Sequence, residues 1–173
     1  AIENMLSDLP GINPNWRIAC LRYFNPVGSH PSGLIGENPI GTPNNLFPIV
    51  SQVAIKKLKF LKVFGNDWPT PDKTAIRDYI HIMDLAEGHL AALNFLLTIK
   101  PKLLTLNLGS GKGHSVLEVV KEFERSSGRN IPYQIINRRP GDTATTIADP
   151  SQAQKIIGWQ THRSLSDICS DGW

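Results

Sequence analysis

Apolar positions fall into short compact runs separated by turn residues, and helical and strand-like spacings alternate along the chain. Ala1 to Leu9 carries a helical spacing that Pro10-Gly11 is expected to stop. Trp16 to Phe24 is a nearly continuous apolar run, the signature of a parallel strand covered on both faces. Leu103 to Leu108 has the same character. Leu46 to Leu58 is predicted as a helix, with Asn45 as a candidate cap and Pro48 in its first turn, where a missing N–H is harmless. Phe60 to Phe64 and Ile131 to Asn137 read as strands. Tyr79 to Ile82 is a short strand running into Asp84.

Capping signals place the helices that follow. Asp84 with Glu87 has capping-box spacing, and Ala86, Leu90, Leu93 and Leu97 then fall on one helical face, the expected core side. Ser115 with Glu118 repeats the signal ahead of Val116, Val119, Val120 and Phe123, and Gly128 is a fitting stop. Asp149-Pro150 with Gln152 starts a short helix that Gly158 ends, and Ser164 opens a last one. Strands alternating with helices make the class α/β. Only two strands read as fully buried, too few for a complete doubly wound sheet. The chain also opens on Ala1 with helical pattern already running, so the expectation is a piece of something longer.

Two loops separate these elements early on. Asn25 to Asn45 is long and rich in Pro and Gly, and it follows a strand at the end where open α/β sheets bind ligands. Gly65 to Lys73 is shorter and polar.

Composition narrows the classes. Apolar residues make up 40% of the 173 and charged residues 19%, a globular balance. A formal charge of +3 is too small and too dispersed for nucleic acid. Lys56, Lys57, Lys59 and Lys62 read as the solvated end of a helix. Cys20 and Cys169 stand alone, which fits a reducing, cytoplasmic setting. No apolar run is long enough for a membrane span, and no histidine pair has metal spacing with a third ligand.

Polar candidates gather at strand ends. Gly109-Ser110-Gly111-Lys112-Gly113 sits between a strand and a helix, but His114 stands where the dinucleotide fingerprint needs its third glycine. A plain turn is the better reading. Arg138-Arg139-Pro140-Gly141-Asp142 is open between a diphosphate clamp with a ribose contact and an exposed turn salt bridge. Arg77-Asp78 is open between an anion contact and a weak strand-end ion pair. Asn25, Asn44 and Asn45 bracket the long loop with amides suited to hydroxyls and phosphate oxygens, and Phe64 could stack a base or fill core. Cations, amides and an aromatic ring suit an anionic, aromatic, hydroxylated ligand rather than acid–base catalysis.

Longer blocks carry a resemblance. They are Leu21-Arg22-Tyr23-Phe24-Asn25-Pro26-Val27-Gly28, His30-Pro31-Ser32-Gly33, Pro43-Asn44-Asn45-Leu46, Phe64-Gly65-Asn66-Asp67, Arg77-Asp78-Tyr79-Ile80-His81, Asp84-Leu85-Ala86-Glu87-Gly88-His89, Asn107-Leu108-Gly109-Ser110-Gly111 and the arginine turn. In order and spacing they resemble the UDP-glucose 4-epimerases of the extended short-chain dehydrogenase/reductase family, essentially from end to end. The resemblance favours the hexose epimerases over nucleotide-sugar dehydratases and uronate 4-epimerases.

The resemblance implies a fold and a division of labour. Residues 1–173 would be the C-terminal part of an NAD-binding Rossmann-type protein, its last sheet strands plus the smaller substrate-binding lobe. The N-terminal Rossmann half, with the glycine fingerprint and the catalytic Tyr and Lys, would lie upstream of Ala1, leaving no catalytic residue here. The full-length protein would be an isomerase of galactose metabolism, a homodimer interconverting UDP-glucose and UDP-galactose through a 4-keto intermediate on NAD. The isolated chain would be inactive, and a purely non-catalytic nucleotide-sugar binder is the alternative.

The resemblance also implies residue roles. Asn25 and Asn45 would contact the sugar diphosphate, with Tyr23, Phe24 and Pro26 near the nicotinamide. Lys62, Val63 and Phe64 would form the strand edge beside the uracil. Arg77 and Arg139 would pair with phosphates, and Asp142, on the turn through Pro140 and Gly141, would take the ribose. Thr146 would line the sugar pocket, its small volume leaving room for the acetylated pair UDP-GlcNAc and UDP-GalNAc. Lys73 stands where these enzymes usually carry glycine, so a different loop shape is expected there.

Overall fold

A computed structural model describes residues 1–173 except 14, 38, 42 and 99–102. In chain order the elements are α1 (Ile2–Ile12), β1 (Ile18–Tyr23), β2 (Asn25–Val27), α2 (Leu46–Ala54), β3 (Leu61–Phe64), β4 (Ile76–Arg77), β5 (Tyr79–His81), α3 (Ile82–Thr98), β6 (Leu103–Leu108), β7 (His114–Ser115), α4 (Val116–Ser127), β8 (Tyr133–Ile136), β9 (Thr145–Thr146), α5 (Ser151–Ile157) and α6 (Leu165–Gly172). The class is α/β, with β1 parallel to β6, β2 to β5 and β3 to β8. A small sheet of order β7-β4-β9 completes it.

The core has two parts. In one, Val50 and Val53 of α2, Leu61 and Val63 of β3, and Val119, Val120 and Phe123 of α4 pack with Ile168 of α6. The amphipathic stripe read from α4 is thus its buried face. Ser115 and Glu118 form the reciprocal capping box, and Gly128 ends the helix at φ 65°. In the other part, Leu85 and Ala92 of α3 meet Leu104, Leu106 and Leu108 of β6, Ala153 of α5 and Trp159.

Several expectations are corrected. α1 continues through Pro10 to Ile12, and Asn13 N–H closes on the Leu9 carbonyl beyond it. β1 is only half-buried, with Arg22 and Tyr23 exposed, because among the described residues β6 is its one strand partner. The long loop begins as strand β2. α2 ends at Ala54, where Lys56 turns into the left-handed region at φ 62°.

α3 presents the opposite face from the one its leucines predicted. Leu90, Leu93 and Leu97 are exposed, whereas Asp84, Leu85, Gly88 and Ala92 are buried. Gly88 explains this orientation. A Cβ there would stand 3.1 Å from both Leu108 and Trp159, so the small-residue face lets the helix sit close to β6. Asp84 lies inside the helix and makes no capping box. Its buried carboxylate accepts from the Arg163 guanidinium and from the backbone N–H groups of His162 (3.3 Å) and Arg163 (3.0 Å). The entry to α3 is stabilised instead by His81, whose Nδ1 accepts from Met83 N–H at 3.0 Å. Lys73 holds φ 64°, the conformation a glycine takes without strain, so the loop keeps a glycine-like backbone at a lysine.

Candidate functional site

The site lies where two chain segments change strand partners. β1 runs beside β6 up to Tyr23, opposite Leu108. Phe24 N–H still bonds the Leu108 carbonyl at 3.3 Å, and from Asn25 the chain runs beside β5 instead. Facing it, β4 ends at Arg77 opposite Thr146, and β5 begins at Tyr79 opposite Asn25. Strand ends that part in this way leave the kind of crevice in which α/β folds bind ligands.

A cavity of about 260 Å³ fills this crevice, and its walls gather residues from distant parts of the chain. Phe24, Asn25 and Pro26 come from the strand switch, Asn45 from the start of α2, Lys62, Val63 and Phe64 from β3, Arg77 from β4, and Arg139 and Asp142 from the arginine turn. All of these were singled out from sequence. Asn45 makes no side-chain cap on α2, which leaves its carboxamide available to the cavity.

The charged groups have definite settings. The Arg77 guanidinium is anchored through Nη1 to the carbonyls of Ile76 (2.8 Å) and Thr143 (2.9 Å). Arg139 lies over the Phe64 ring, 4.3 Å from its centroid, and its Nε donates to Asp142 at 3.2 Å. A cation, a ring and a carboxylate thus meet at one end of the cavity. Arg138 points elsewhere. It pairs with Asp67 at 2.7 Å and stacks on Trp68 at 3.7 Å. The twin-arginine clamp read from the turn is therefore split, and the other arginine lining the cavity is Arg77.

Four of the sequence candidates stand outside these walls. Tyr23 and Thr146 line an adjoining depression with Arg22 and Asn107, and it shares Phe24, Asn25 and Arg77 with the main cavity. The Thr146 and Thr143 hydroxyls are 2.9 Å apart. Pro140 and Gly141 shape the turn without lining the cavity, Gly141 at φ 85°.

Sequence reasoning missed Tyr79, Leu61, Ala75 and Val116 in the wall. Tyr79 had a signal, since it sits two residues beyond Arg77 on an extended segment and so shares its face. Burial pushes its phenol well above the usual tyrosine range, and the Arg77 cation offsets this only in part. It stays protonated at neutral pH.

Asp78 makes no ion pair with Arg77. It is fully buried and accepts from Ser110 N–H (2.8 Å), Ser110 Oγ (2.7 Å), Gly111 N–H (2.9 Å) and Ala148 N–H (3.1 Å). The glycine turn is thus occupied from within, and two of its amides have no capacity left for a pyrophosphate. Gly109 is there for space, because a Cβ would lie 2.4 Å from that of Ala148.

A protein-family model described as GDP-mannose 4,6 dehydratase matches residues 14–172. The chain belongs to that family. A UDP-glucose 4-epimerase of Bacillus subtilis (strain 168) is 54% identical over 172 residues, which is 99% of this chain and 50% of that protein. A Stenotrophomonas maltophila UDP-glucose-4-epimerase, solved with bound NAD and formylated UDP-arabinopyranose, superposes with a TM-score of 0.96 at 49% identity, covering 99% of this chain and 51% of that one. The Bifidobacterium longum UDP-glucose 4-epimerase, in complex with NAD+ and UDP, gives a TM-score of 0.92 at 48% identity over 98% of this chain and 50% of that one. This GDP-mannose 4,6-dehydratase family chain spans about half the length of the curated relatives it matches. Among its described residues no helix is long and apolar enough to cross a membrane, and no cluster of His, Cys, Asp and Glu is arranged to hold a metal.

Proposed function

We propose that this chain supplies the UDP-sugar cavity of a UDP-hexose 4-epimerase that interconverts UDP-glucose and UDP-galactose with NAD. The observation that carries the reading is the single cavity uniting Phe64, Arg139, Asp142, Arg77, Asn25 and Asn45. Phe64 offers a face for the uracil, Asp142 an acceptor for a ribose hydroxyl, and Arg139 and Arg77 cations for the diphosphate. Asn25 and Asn45 offer amides to phosphate and sugar oxygens. The identity with epimerases from Bacillus subtilis and the UDP and NAD+ held by the Bifidobacterium longum relative support the same reading.

The donor set also bears on the cofactor. The glycine turn, with two of its amides taken by Asp78, is no pyrophosphate cradle, whereas Tyr23, Phe24 and Pro26 form an aromatic and apolar edge that fits a nicotinamide ring. When bound, NAD supplies the hydride acceptor for sugar C4. The residues of this chain bind and orient. The Arg77 and Arg139 cations fix the diphosphate, which positions the hexose against the Phe24 edge, and the base and its lysine partner come from outside these residues. Thr146, small and beside Arg77, leaves room for an N-acetyl group, so UDP-GlcNAc and UDP-GalNAc are included as substrates. The working protein is a cytoplasmic homodimer of galactose metabolism on this reading.

The test is an assay of the full-length protein. UDP-galactose should be converted to UDP-glucose with NAD present, and Arg139→Ala should raise KM for the nucleotide sugar strongly. Absence of conversion with any UDP-hexose overturns the reading. Turnover of the plain hexoses without the acetylated pair overturns only the assignment of Thr146.

A further inference from the structure

Asp78 is fully buried, and no salt bridge to it forms among the described residues. Removing a carboxylate from water is costly unless its lone pairs are used. Here four donors use them, from Ser110, Gly111 and Ala148. The backbone of the same residue is also committed on both sides. Its N–H donates to the Thr146 carbonyl at 3.0 Å, and its carbonyl accepts from Asn25 N–H at 3.0 Å.

These bonds converge on the place where the strands change partners. Asn25 starts β2, Arg77 ends β4, Tyr79 starts β5 and Thr146 ends β9. β4 and β9 are two residues each, so pairing of their own holds them weakly. The Asp78 carboxylate ties that junction to the turn after β6 and to Ala148 just beyond β9. Arg77 and Tyr79, its immediate neighbours, face the cavity while its own side chain faces away.

We propose that Asp78 is a positioning residue for the nucleotide-sugar cavity, holding Arg77, Asn25 and Thr146 in register without touching the ligand. The proposal rests on the UDP-sugar reading of that cavity. Asparagine at this position keeps one acceptor oxygen but turns an NH2 group toward N–H donors. The junction then loosens while both core clusters keep their packing. A group displaced by about 1 Å loses much of its effect on a bound substrate.

The experiment compares wild-type full-length protein with Asp78→Asn and Ser110→Ala, using UDP as the probe. Calorimetry should show the Kd for UDP raised about tenfold in Asp78→Asn and about threefold in Ser110→Ala, which loses one of the donors. Hydrogen exchange without ligand should be faster in peptides covering 25–27 and 143–148, with that of α4 unchanged. A folded Asp78→Asn with wild-type Kd, or with wild-type exchange in those peptides, overturns the proposal, since a merely structural role lowers Tm and leaves affinity alone. Should Asp78→Asn fail to fold, Ser110→Ala decides by the same two readouts. If the wild type does not bind UDP, the functional reading falls, and exchange alone decides whether Asp78 holds the junction.

Discussion

The Arg139 guanidinium lies over the Phe64 ring, 4.3 Å from its centroid, and donates to Asp142 from the same position. Two segments far apart in sequence, β3 and the turn after β8, build this corner together. It is the part of the cavity suited to a planar base with an anion beside it.

Phe64→Ala therefore tests base recognition. Stacking a base on an aromatic side chain contributes roughly 1–3 kcal/mol, so UDP affinity should fall by about tenfold or more. Titration calorimetry of the full-length protein checks this, with a diphosphate compound lacking the uracil as control. An unchanged Kd would remove Phe64 from the ligand site.

Lys73→Gly should stabilise the protein. A non-glycine residue in the left-handed region costs about 1–2 kcal/mol, and the exposed Lys73 sits there at φ 64°. The extra chain entropy of glycine offsets part of this, leaving a gain of about 0.5–1 kcal/mol. Thermal unfolding should show Tm raised by a degree or more. A lower Tm would mean that the lysine side chain contributes something beyond its backbone.

His81 gives stability a dependence on pH. Burial holds the ring neutral and pushes its pKa below the usual histidine value of 6.5, and the Arg163 cation acts the same way. Asp171, 3.2 Å from Nε2, and Asp84 pull it back up without cancelling the shift. The folded state then binds fewer protons than the unfolded chain between the two pKa values. Stability from this group is complete above pH 6.5 and is lost as pH falls through that window. Unfolding in urea at pH 7.5 and at about pH 5.5 should show the loss, and His81→Asn should flatten the dependence. A wild-type curve level across this range would contradict the argument.

Gly109→Ala separates packing from cofactor binding. Its new methyl would meet the Ala148 methyl carbon at 2.4 Å and the Asp78 carboxylate at 2.9 Å. Overpacking of this kind costs about 1–3 kcal/mol. Lower Tm with unchanged NAD affinity in the folded fraction is the expected result. Loss of NAD binding without destabilisation would make the turn a cofactor site after all.

Local chemistry alone determined much of this protein. The capping box at Ser115 and the glycine stop at Gly128 rest on contacts within a few residues, and the spacing of Val119, Val120 and Phe123 already marks the face of α4 that the core covers. The proposed ligand type also starts from local features, the cations, amides and aromatic ring that the sequence places at strand ends. What only the tertiary structure decided is which way the groups face. The leucines of α3 mimic a core stripe, yet the close approach allowed by Gly88 turns them outward. Arg138 and Arg139 are neighbours, but Trp68 and Asp67 take one and Phe64 the other. Arg77-Asp78 was open between an anion contact and a weak ion pair, and Asp78 is instead the buried acceptor for amides 32, 33 and 70 residues away. Such choices depend on which surfaces meet across the fold, and no window of sequence contains that.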